Sequence, residues 1–121
     1  MKIIPSAFHG ILDYAVALTL VAGPILLGFN GVALGLGIAG GIGLFLYSLV
    51  TDYSTSVQKL LPFGVHLLLD AVAAVALIAA PFLFGFGPLA TGFYLVIGLA
   101  VIVVVLVTNP EIETVADQPA E

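Results

Sequence analysis

Read only as apolar and polar positions, the chain falls into four long apolar runs, about 6–29, 31–50, 63–86 and 88–108. Each has roughly the 20 residues a helix needs to cross ~30 Å of hydrocarbon at 1.5 Å per residue. Asn30-Gly31 and Gly87-Pro88 break the first pair and the last pair of runs. Such pairs favour tight turns because glycine tolerates positive φ and proline fixes its own. The middle break is the one extended polar stretch, Thr51 to Lys59, and after Thr108 the sequence Asn109-Pro110 opens an acidic tail. Lipid admits only helices or closed barrels, and the period-two alternation of a barrel strand is absent. The pattern predicts an all-α integral membrane protein with four transmembrane helices. The first run is too long for a cleaved leader and contains His9 and Asp13, so it is expected to remain in the mature chain.

Composition narrows the picture. Of 121 residues, 62% are hydrophobic and 7% charged, and the mean hydropathy is +1.31. Ordinary soluble domains are about a quarter charged. The charged residues are Lys2, Asp13, Asp52, Lys59, Asp70, Glu111, Glu113, Asp117 and Glu121, too few to cover a soluble globule. A soluble enzyme, a nucleic-acid binder and a cysteine-linked scaffold are excluded on these grounds; no soluble partner is identifiable, and the expected partner is the lipid bilayer, with a homo-oligomer as a further option. Four crossings put the N-terminus, the 51–62 loop and the tail on one face. Lys2 and Lys59 both lie there, so the positive-inside tendency places that face, with both termini, in the cytoplasm of a cell membrane. The net charge of −5 comes mostly from the tail, 110–121, which is polar enough to be disordered.

Slid along itself, the chain aligns 2–52 with 59–109 without a gap. The identities include Lys2/Lys59, Pro5/Pro62, His9/His66, Asp13/Asp70, Pro24/Pro81, Gly28/Gly85, Phe29/Phe86, Gly35/Gly92, Gly41/Gly98 and Thr51/Thr108. Compositional bias does not align the only two lysines and the only two histidines. The chain therefore reads as a tandem duplication of a helical hairpin, with units 1–52 and 53–109. Because each unit crosses twice, both keep one orientation, and a pseudo-two-fold axis along the membrane normal is expected. In the first helix Lys2, Pro5, His9, Asp13, Ala17, Leu20, Pro24 and Gly28 fall on one stripe, the expected interface between repeats. In the second helix Gly31, Gly35, Ala39 and Gly43 recur every fourth residue, with Gly37 and Gly41 nearby, and are expected to form a close-packing ridge. Pro24 and Pro81 each free a carbonyl four residues back and are expected to kink their helices.

The unit reads H-x3-D-x10-P-x3-G-F: His9, Asp13, Pro24, Gly28 and Phe29, then His66, Asp70, Pro81, Gly85 and Phe86. This resembles the SPW repeat family of small bacterial integral membrane proteins built from two-helix units. The resemblance covers nearly all of residues 2–109. Gly23-Pro24-Ile25 and Ala80-Pro81-Phe82 stand where that family has Ser-Pro-Trp. It implies a fold and a membrane location, and no reaction.

The candidate chemistry is carried by His9, Asp13, His66 and Asp70. Histidine and aspartate four residues apart share a helix face, and ionisable groups inside a span mark function by default. The first reading is a structural or interaction module in which these groups hydrogen-bond across the repeat interface. It is not an enzyme and carries no resident cofactor. The alternatives are an N2O2 metal site from the same four residues, a bis-histidine haem, and a proton relay or small transporter. A soluble-type catalytic triad lacks a nucleophile, since Ser6 and Ser48 lie near helix ends. Thr51 and Thr108 read as helix-end caps. Phe8, Phe29, Tyr47, Tyr53, Phe63 and Phe86 read as interfacial aromatics.

Overall fold

The structure, a computed structural model, describes residues 3–51 and 60–108. They form four helices, α1 (Ser6–Leu26), α2 (Gly31–Leu49), α3 (Phe63–Phe84) and α4 (Pro88–Val107). All four are long and apolar enough to cross a membrane. Lys2, Lys59, Tyr53 and the 110–121 tail, on which the orientation and disorder expectations rest, lie outside the described residues.

The helices start where expected, but α1 and α3 stop short of the expected residues 29 and 86. The reason is the P-x3-G-F segment. Gly28 and Gly85 adopt φ of +75° and +66°, the left-handed region that glycine enters without steric cost. The chain then folds back, so that Phe29 N–H and Phe86 N–H donate to the Pro24 and Pro81 carbonyls, each at 2.9 Å. This is the six-to-one bond of a Schellman stop, with the proline four residues before the left-handed glycine in both helices. The expected kinks at Pro24 and Pro81 are therefore corrected to helix ends: each proline sits in the last turn, and no helix continues beyond a bend.

Within each hairpin the helices touch closely. α1 packs along α2 and α3 along α4, while the seams α2–α3 and α1–α4 are lighter. The expected ridge on α2 is corrected as well. Gly31, Gly35, Ala39 and Gly43 all face outward, and the buried residues are Gly37, Gly41, Leu44 and Ser48. Residues two apart lie about 200° apart around a helix, so only one of the two glycine rows can face α1. A Cβ on Gly37 would stand 2.5 Å from the Leu20 carbonyl oxygen, the one freed by Pro24, and 2.7 Å from the Tyr94 hydroxyl. A Cβ on Gly41 would stand 2.7 Å from the Ala17 oxygen. At the matching place in the second hairpin, a Cβ on Gly98 would stand 3.0 Å from the Ala74 oxygen.

The predicted stripe on α1 is the buried one: His9, Asp13, Ala17, Leu20 and Pro24. With Ala74, Leu77 and Tyr94 it fills the bundle axis. Tyr94 occupies the place that Gly37 has in the first hairpin. Its hydroxyl donates to the Ala33 carbonyl at 2.5 Å, and its buried ring packs against Phe29, Phe86 and Phe93. At the other end the segment before each odd helix is strapped to the end of an even one. Ile3 and Ile4 N–H donate to Val107 O at 2.7 and 2.9 Å, and Leu60 and Leu61 N–H donate to Val50 O at 2.8 and 2.7 Å. The two straps occupy equivalent positions in the repeat, and each runs from one hairpin to the other.

Adding one methyl group at the two glycine rows should separate them. Gly37→Ala is expected to lower stability by about 1–3 kcal/mol through overpacking. Gly35→Ala, whose Cβ would meet nothing within 4 Å, should be neutral or slightly stabilising. Thermal unfolding in mild detergent reads both.

Candidate metal centre

The polar site lies about one turn into α1 and α3, at the strapped end. His9 and His66 are 0% exposed, Asp70 2% and Asp13 5%. In so apolar a bundle these four groups must satisfy one another, since an unpaired charge there costs several kcal/mol. Their contacting atoms alternate around a ring. His9 Nε2 lies 2.9 Å from Asp70 Oδ2, which lies 3.1 Å from His66 Nε2. His66 Nε2 lies 2.6 Å from Asp13 Oδ2, which lies 3.2 Å from His9 Nε2. All four ligand-type atoms fall within 4.8 Å of one another. The sequence places these residues at one depth, and the structure brings all four together, two from each hairpin.

Two threonines set the chemistry of the ring. Thr51 Oγ1 donates to Tyr47 O at 2.6 Å and lies 2.7 Å from His66 Nδ1. Thr108 Oγ1 donates to Val104 O at 2.5 Å and lies 2.8 Å from His9 Nδ1. A threonine has one hydroxyl proton, and here the carbonyl takes it, so each hydroxyl accepts from a protonated Nδ1. Both histidines are thereby held with Nδ1–H turned outward and Nε2 turned into the ring. An outer hydrogen bond that fixes the histidine tautomer is the usual companion of a metal-binding imidazole. Inside the ring, two carboxylates face two Nε2 atoms; one divalent cation, or two protons, would balance the charge.

The surroundings are aromatic. The Phe63 ring meets His9 edge-on at 5.4 Å, and the Tyr47 ring lies 4.7 Å from that of His66. The Tyr47 hydroxyl donates to Asp70 Oδ1 at 2.5 Å. Residue 104, the counterpart of Tyr47, is valine, so Asp13 has no matching tyrosine. Asp13 Oδ2 makes no well-directed hydrogen bond among the described residues, although two imidazole nitrogens lie beside it.

Several residues take roles different from those the sequence suggests. Thr51 and Thr108 do bond back to helix-end carbonyls, as capping residues would, but their second task is to hold the histidines. Their identity across the repeat is the available signal. Tyr47 and Phe63 stand beside the site's histidines; Phe63 is 1% exposed, whereas Phe8 is 49% exposed. The haem alternative loses its space, because the two carboxylates fill the gap between the Nε2 atoms. No family model, curated protein or solved structure matches the chain.

Replacing Thr108 by valine leaves a buried Nδ1–H without an acceptor, at a cost of about 1–3 kcal/mol. A double-mutant cycle of Thr108→Val with His9→Ala should therefore be non-additive in thermal stability. Strict additivity would separate the threonine from the histidine.

Proposed function

We propose that this chain is a small multi-pass membrane protein that holds one divalent transition-metal ion between its two hairpins. His9, Asp13, His66 and Asp70 supply the ligands. One observation carries the reading: both histidines are locked by threonine into the tautomer that aims Nε2 at two carboxylates. Two imidazoles and two carboxylates form a borderline donor set, suited to zinc and its neighbours and unlike the all-oxygen cages of calcium or magnesium. A divalent ion would neutralise the pair of carboxylates, which in lipid is the costliest feature of the sequence. It would also engage Asp13 Oδ2, which makes no well-directed hydrogen bond although two imidazole nitrogens lie beside it. The ion would tie α1 to α3 across the interface, so the module and the metal centre are one device.

The same proposal takes the four helices as membrane crossings and the internal recurrence as a hairpin duplication. The pseudo-two-fold axis then lies along the membrane normal, with both termini in the cytoplasm of the cell membrane. The resemblance to SPW repeat proteins rests on the H-x3-D-x10-P-x3-G-F unit, which recurs in both hairpins, and adds no activity.

Protein purified in mild detergent from zinc-supplemented cells should contain about one zinc per chain. Asp13→Ala and His66→Ala should each abolish retention. Thr51→Val and Thr108→Val should retain the site but weaken it by about 10- to 100-fold, the usual effect of losing an outer-shell partner. Wild-type protein that stays as free of metal as His66→Ala under those conditions would reduce the site to a protonated clasp.

A further inference from the structure

Below the ring, toward the tight turns, lies a cavity of about 150 Å³. Asp13, Asp70 and Tyr47 border it, and Leu20, Leu44 and Leu77 are among its apolar walls. Ala73 and Ala76, both exposed, stand at its edge on α3, and Leu36 and Gly40 line it from α2. The mouth therefore opens sideways, between α2 and α3, where a bilayer would lie.

The cavity exists because the two hairpins differ along this seam. Its four edge positions have larger counterparts in the other copy of the repeat: Leu36 answers to Phe93, Gly40 to Ile97, Ala73 to Val16 and Ala76 to Thr19. Phe93, Ile97 and Val16 pack against the core, and Val16 itself also lines the cavity from α1. Every one of the four differences makes the α2–α3 seam roomier. The fifth difference, Tyr47 for Val104, adds a hydroxyl beside the carboxylates on the same seam. Variation indifferent to the cavity would place small residues on both seams.

We propose that this cavity is a binding site for a lipid-soluble phenol, entering from the bilayer between α2 and α3. An apolar cavity of about 150 Å³ takes up one benzene-sized ring, which sets the size of the headgroup. The polar end sets its chemistry. The side chains there are two carboxylates and a tyrosine whose proton is already given to Asp70 Oδ1, so the end accepts hydrogen bonds. A hydroxyl on the ring donates to the Asp13 carboxylate, which lines the cavity and has Val104 where Asp70 has the hydroxyl of Tyr47. A carbonyl or an anion would meet only acceptors and is excluded. The site borders the metal ring without depending on it: Oδ2 of each aspartate belongs to the ring, and the same two residues line the cavity.

The test compares phenol with toluene, a ring of the same shape without the hydroxyl, at equal concentrations in the micelle. The cavity-filling variant is Gly40→Ile with Ala73→Val, which gives this seam the residues of the other one. A Cβ on Gly40 meets nothing within 4 Å, so the variant should fold, and Gly40→Ile alone serves if the pair does not. Phenol should raise the thermal midpoint of the wild type by several degrees, toluene by clearly less, and neither should shift the filled variant. An equal response to phenol and toluene would overturn recognition of the hydroxyl. A filled variant that responds like the wild type, or a wild type that does not respond, would overturn the site. Zinc retention, measured on the same samples, should not change in the filled variant; its loss from the wild type would count against the metal reading alone.

Discussion

Two carboxylates in an apolar four-helix bundle can persist only if a proton or a cation is shared with the groups that face them, and among the described residues those groups are two imidazoles and the Tyr47 hydroxyl. The outer nitrogen of each imidazole is already committed to a threonine, so each inner nitrogen must face the carboxylates. The rest of the structure serves this meeting of four atoms. The glycines at 37, 41 and 98 let each hairpin close onto its own backbone, which brings the stripes of α1 and α3 to the axis. The straps from residues 3–4 and 60–61 to the ends of α4 and α2 hold Thr108 and Thr51 over the histidines of α1 and α3. In each case one hairpin holds the histidine of the other, so the ring cannot form unless both are in place.

The two halves agree where the ring demands it and differ where it does not. Histidine, aspartate, threonine, proline and the glycine of the stop recur in register. Gly37 and Tyr94 do not match, yet they work together. The tyrosine of one hairpin fills the space beside the glycine of the other and bonds to Ala33 across the bundle. The seams differ too: one is filled by Phe93 and Ile97, and the other is left open beside the carboxylates. The residues shared between the two hairpins thus form a symmetric polar centre, and the differences between the hairpins give that centre a front and a back.

The helices are legible in the sequence because each is an apolar run of 19 to 22 residues, long enough to cross a membrane, set off by turn-forming breaks. The ring is legible because its residues are rare here: two histidines and two mid-span aspartates, each pair in register across the repeat. The row of glycines that packs is not. Both rows in α2 have small residues at helical spacing, and only the position of the partner helix decides between them. The proline reads as a breaker of hydrogen bonds, but the glycine-phenylalanine after it makes it the last turn of a helix. Thr51 and Thr108 are visible as repeated residues, yet their bonds to histidine span 15 and 99 positions in the chain. No local pattern encodes such a contact. The cavity is hidden for the same reason, since it is a difference between two seams that only the assembled bundle defines.

The central claim is that threonine fixes Nδ1–H on both histidines and leaves Nε2 to the ring. Nitrogen NMR of the two imidazoles in the folded protein reads this directly, through one-bond and longer-range couplings to ring protons. With zinc supplied, both residues should show a protonated Nδ1 and an unprotonated, metal-shifted Nε2. A proton on Nε2 of either histidine in the zinc-treated protein, or a bare Nδ1, would contradict the account.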